Sequence, residues 1–182
     1  MLQRDLHQQL RAESIAARDR IAALVRPLDG AQLTEHPEPK GWSIGEVLEH
    51  LLIADELYDD SMAKLLASSR PDAGAAAREW KPTFLGKWIA ESLIAPKKLK
   101  GPPAFRVRHG PRKGVVEAFL ARELQFVSLM DDSVRFDWNA LKIHSPALPR
   151  FMPRLNLGDA FRVHVVHVTR HAKQIERLAG KV

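Results

Sequence analysis

Apolar residues recur at three-, four- and seven-residue steps along most of this chain, the repeat of helices that bury one face. Leu2, Leu6, Leu10, Ala17, Ile21, Leu24 and Leu28 keep such a face, and Gly30 stands just past the last of them, which predicts an amphipathic helix closed by a glycine. A second helix is predicted from Ser43, where Ser43-Ile44-Gly45-Glu46 has the form of a capping box. Its buried stripe is Ile44, Val47, Leu48, Leu51, Tyr58, Met62 and Leu65, and it ends before Pro71. The third runs from about Lys113 to Asp132, with Val116, Phe119, Leu120, Val127 and Met130 inward. The fourth runs from about Asp159 to Ala179, with Asp159 or Asn156 as N-cap and Gly180 behind it.

The segments between these helices are broken by proline. Pro71, Pro82, Pro96, Pro102 and Pro103 leave room for one short helix, about Thr83 to Ile94, and Pro146, Pro149 and Pro153 make 136–157 an irregular connection. Alternating β-branched runs are absent, and Val163 to Val168 lies inside the fourth helical pattern. The predicted fold class is all-α: a four-helix bundle with a Pro-rich insertion between helices two and three, in one domain over 1–182.

Composition narrows the chemistry. The chain has 182 residues and no cysteine, which excludes disulfides, thiolate ligands and a protein thiol nucleophile; histidine, carboxylate and hydroxyl chemistry remain. No apolar run reaches the length of a membrane span, and the first twenty residues lack the features of a secretory signal, so the expected protein is soluble and cytoplasmic, with no membrane partner. The net charge of +6 is carried partly by Lys97-Lys98-Leu99-Lys100 and by the segment Arg106 to Lys113. Neither has the basic face and interleaved aromatics of a nucleic-acid platform, so they are read as solvated loops and nucleic acid is not expected as a partner.

Histidine carries the candidate chemistry. His167 and His171 stand four apart, one helical turn, so both imidazoles can converge on one cation. His164 shares their face, but at seven residues from His171, about 10 Å along the axis, it fits an outer partner, a pocket wall or a hydrogen-bonded core residue better than a ligand. His50, at the edge of the second helix's apolar stripe, can look into the core and complete a three-nitrogen set that leaves a position for water or substrate. His7, His36, His109 and His144 have no paired spacing; they are assigned to the surface and loops, with His144 placed where it could fold over the bundle mouth. Glu46, Glu49 and Asp55 are the candidate acid/base or orienting groups, although Glu46 already serves the capping box.

Gly41-Trp42-Ser43-Ile44 leading to Glu46-Val47-Leu48-Glu49-His50, with His167-Val168-Thr169-Arg170-His171-Ala172-Lys173-Gln174 near the end, resembles the DinB-like superfamily. The resemblance covers roughly 2–66 and 113–178. It implies a four-helix bundle, often a homodimer, with a divalent metal, zinc or nickel with manganese as a third candidate, on the histidines matching His50, His167 and His171. Some relatives are transferases or isomerases that use a low-molecular-weight thiol as cosubstrate, and others are described as hydrolases. The leading expectation is a metal-dependent transferase or hydrolase that activates a thiol or water toward a small-molecule substrate. The alternative is a noncatalytic metal-binding scaffold or stress-associated protein, which would call for a saturated, sealed site.

Overall fold

The computed structural model describes residues 1–95, 103–146 and 148–182; the basic run 97–100, Pro96 and Pro102 lie outside them. Helices dominate: α1 (Gln3–Val25), α2 (Gly30–Thr34), α3 (Ile44–Ala67), α4 (Phe84–Ile94), α5 (Val115–Ser133) and α6 (Leu157–Ala179). The all-α class therefore holds. The long helices α1 and α3 each pack against both α5 and α6, and α4 lies along α6.

Local chemistry sets the boundaries. The capping box at Ser43 is formed, its hydroxyl accepting from the Glu46 amide at 3.2 Å while the Glu46 carboxylate accepts from the Ser43 amide at 2.9 Å. Asn156 and Asp159 make the same reciprocal pair at the head of α6. One expectation is corrected: Gly30 does not close the first helix. That helix stops at Val25, because Pro27 lacks an amide hydrogen and its ring would strike the preceding turn; Gly30 instead opens α2, which Asp29 and Gln32 cap. A second difference is a small antiparallel pair, β1 (Lys142–Ile143) with β2 (Leu155–Asn156), inside the connection read as irregular. Two-residue strands are too short to leave an alternating pattern in the sequence.

The core forms two apolar clusters stacked along the long helices. One gathers Leu6, Leu10, Tyr58, Met62, Phe126, Trp138 and Phe161, the other Ala17, Ile21, Val47, Leu48, Leu51, Phe119 and Ile175. Gln3 pins the first, its carboxamide donating to the Val134 and Phe136 carbonyls and accepting from the Trp138 amide.

Helix α4 is held at its N-terminus. Thr83 caps it and also donates its hydroxyl to Asp159 at 2.6 Å, which brings Gly86 so close that an added Cβ would sit 2.1 Å from Asp159 Cγ. Gly86→Ala gains helix propensity of about 1 kcal/mol, but displaces the carboxylate that accepts from the cap residues of both helices, Thr83 and Asn156. We expect a net loss of about 1–3 kcal/mol, the range for overpacking, seen as a lower urea midpoint; an unchanged or higher midpoint would mean that α4 can shift freely on α6.

Candidate metal centre

His50 sits two turns into α3, behind the Ser43 cap, and His167 and His171 stand one turn apart on α6. The packing of α3 on α6 brings the three rings together, with centroids 4.7 to 5.0 Å apart and every pair edge to face. Nε2 of His167 lies 3.1 Å from Nε2 of His50 and 3.1 Å from Nε2 of His171. Nitrogens sharing an ion at ~2.0–2.1 Å stand only slightly over 3 Å apart, so this spacing suits a common cation.

The outer nitrogens fix what the inner ones present. His50 Nδ1 lies 2.7 Å from the Phe105 carbonyl and His171 Nδ1 2.9 Å from Gln174 Oε1, both acceptors, so each Nδ1 carries the hydrogen. In the neutral rings the Nε2 lone pairs of His50 and His171 then both point at His167. His167 has one hydrogen at most to offer them. Three nitrogens with at most one proton among them make a donor set that a cation would complete, and this is the observation on which the residues fit a metal.

Electrostatics keep the rings neutral. Burial, then the neighbouring His50, drive His171 down to about 3, the Gln174 bond opposing only partly. Burial also lowers His50 against the pull of the Phe105 carbonyl, and His167 is held well below the ordinary imidazole value by burial and by the other two rings. Neutral imidazole is the ligating form.

The three rings open on a cleft of about 990 Å³, the size of a small-molecule site, whose walls include Trp42, Trp88 and Arg170. Trp42 tilts against His50 at 4.8 Å and lies nearly parallel to His171 at 6.5 Å. Arg170 is tied to α4 by bonds from Nη1 to the Leu93 and Ala95 carbonyls.

The other singled-out residues go elsewhere. His164 is buried one turn before His167, between Asp55 and Glu123 and stacked on Phe126 at 3.5 Å. Glu46 stays in its cap. Glu49 is buried and grips the Arg112 side chain and amide; burial would raise its carboxyl, but the Arg112 bonds prevail and lower it. Asp55 is buried too. His7 pairs with Asp131, His36 reaches the Gly41 carbonyl, exposed His109 lies in its loop, and His144 accepts from Arg154. His144 is not among the cleft's walls; its neighbour Ser145 is, bound to Tyr58 at 2.5 Å. Sequence reasoning missed Phe105, whose carbonyl orients His50 from fifty-five residues away, since a backbone acceptor leaves no side-chain signal.

No curated protein and no solved structure matches this chain. The sequence profile of the DinB superfamily matches residues 15–175, a span that includes all three converging histidines, the whole of α3 and most of α6. That match extends over most of the chain, and the protein belongs to the DinB superfamily.

Proposed function

We propose that this protein is a metal-dependent enzyme in which His50, His167 and His171 hold a divalent ion, zinc or nickel with manganese as third candidate, and a small thiol or water is activated beside it. The observation that carries the reading is the convergence of three neutral Nε2 atoms at an open cleft. When bound, such an ion lowers the pKa of a thiol or water in its open position. The absence of cysteine means that any thiol arrives with a cosubstrate. An open cleft supports this over the scaffold alternative, for which a sealed site would be expected.

The chain's own residues supply orientation. Phe105 and Gln174 lock two imidazoles with their lone pairs inward. The Trp42 ring packs beside His50 and lines the cleft next to the histidines. The Tyr58 hydroxyl, paired with Ser145 on the cleft wall, can donate to a substrate oxygen, and burial raises its pKa, so it keeps its proton. The small-molecule substrate, a thiol-transfer or hydrolytic reaction and a homodimer belong to this reading, the last checked by sedimentation.

Elemental mass spectrometry on protein purified without chelators is expected to find a metal equivalent that is lost in His50→Ala and in His167→Ala/His171→Ala. With cobalt in its place, glutathione should add a thiolate-to-metal absorption band. Protein that stays free of any histidine-dependent equivalent after reconstitution with zinc, nickel and manganese would sink the proposal.

A further inference from the structure

The boundary between the two apolar clusters is polar on every long helix. On α1, Ser14 falls between Leu10 and Ala17; on α3, Asp55 between Leu51 and Tyr58; on α5, Glu123 between Phe119 and Phe126; on α6, His164 lies three residues before His167. These groups are deeply buried: Ser14 is 1% exposed, Asp55 2%, Glu123 0%, with Asp59, one turn after Asp55, at 5%. Buried carboxylates unsatisfied by donors are costly, and folds rarely keep several at one level without a ligand or partner that neutralises them.

Here the partners fall short. His164 Nδ1 is 3.3 Å from Asp55 Oδ1 and its Nε2 is 3.1 Å from Glu123 Oε1. An imidazole with a single N–H donates at one nitrogen only, so meeting both contacts takes one further proton, on the ring or on a carboxyl. A carboxylate oxygen of Asp55 and one of Glu123 lie within 4.8 Å of each other. Among the described residues, Asp55 Oδ2, Glu123 Oε2 and both oxygens of Asp59 have no hydrogen-bond partner. Among the described residues, Arg122 Nε stands 3.7 Å from Asp59 Oδ2, and Arg18 lies close enough to lower the Glu123 pKa. One proton shared between Asp55 and Glu123 would satisfy one contact and leave the Asp59 oxygens as they are. A divalent ion accepts several oxygens and a nitrogen together.

We propose that Asp55, Glu123 and His164 form a second divalent-cation site, separate from the three-histidine set, with Asp59 as supporting carboxylate. One donor atom from each of the three lies within 4.8 Å of the other two. Two carboxylates and one imidazole suit a harder ion than an all-nitrogen set, Mn²⁺ or Fe²⁺. Asp55 and His164 also line the cleft onto which His50, His167 and His171 open, which gives an ion a route inward.

The full-length His167→Ala/His171→Ala protein isolates this site, because it removes the histidine set and leaves the carboxylates alone. Titrated with Mn²⁺ after chelator treatment, with free Mn²⁺ read by electron paramagnetic resonance, it is expected to bind one equivalent and to unfold at a higher temperature with the ion. Adding Glu123→Gln should weaken that binding at least ~10-fold, the minimum seen when even an outer partner of a metal site is lost. Should that protein not fold by circular dichroism, Asp55→Asn on the same background tests the same donors. No Mn²⁺ bound by the His167→Ala/His171→Ala protein, or undiminished binding after the carboxylate change, would overturn the site and leave a proton-bridged acid cluster in its place. Either result is independent of whether the histidine set holds its own metal.

Discussion

His167→Ala is expected to lower the affinity for zinc or nickel by more than ~100-fold, beyond the 10–100-fold that losing an outer hydrogen-bond partner costs. His167 is the hub of the set: its Nε2 is 3.1 Å from both other Nε2 atoms, so its removal leaves two donors on different helices and no chelating pair. Gln174→Ala removes only the acceptor that fixes the His171 tautomer and should cost about 10-fold. His36→Ala, on the loop before α3, should change nothing. Competition against a chromophoric chelator with nickel measures all three. His164→Ala is the discriminating control, since its ring faces Asp55 and Glu123 rather than His167; it should leave the nickel affinity near wild type. A loss equal to that of His167→Ala would mean that the centre is built on a different pair.

The helices were legible because their signals are local. Capping boxes, glycine and proline punctuation and the 3.6-residue repeat all act within a few residues, and they placed α3, α4 and α6 within two residues of their starts. The His167 and His171 spacing was legible for the same reason. Gly30 follows an apolar pattern that runs on to Leu28, but Pro27 ends the helix before that pattern does. The polar layer was hidden by the pattern itself. Seven-residue steps from Leu10 to Ala17, Leu51 to Tyr58 and Leu120 to Val127 kept the apolar face continuous on paper while stepping over Ser14, Asp55 and Glu123, which occupy inward positions. A polar residue where the repeat demands an apolar one, at one level on several helices, is a signal that sequence could have offered. The Phe105 carbonyl and the grip of Arg112 on Glu49 depend on how distant segments fold back, and no local pattern encodes them.

Acidifying the metal-free protein to pH 4 is expected to destabilise it through His171 by on the order of 3 kcal/mol, given a folded value of about 3 against 6.5 in the unfolded chain. The sign follows from proton binding. The folded pKa is depressed, so below 6.5 the unfolded state takes up the proton first, and stability present above 6.5 is lost as pH falls toward 3. His50 and His167 shift in the same direction and add to the loss. The buried carboxylates oppose it: burial raises Asp59 to about 6 and Glu123 to about 8, so the folded state holds protons that the unfolded chain releases, and these groups gain stability as pH falls from 8 toward 4. The two effects partly cancel in any single curve. Comparing urea midpoints of wild type and His171→Leu at pH 7 and pH 4 with chelator present removes the carboxylate contribution, and the variant should lose less stability over that interval. Parallel curves would show that His171 is not held neutral by its surroundings. The same depression weakens proton competition for the Nε2 lone pairs, so affinity for nickel should stay nearly flat from pH 8 to pH 6, an interval over which imidazoles of ordinary pKa begin to lose a metal to protons; a steep fall across it would refute the neutral three-nitrogen set.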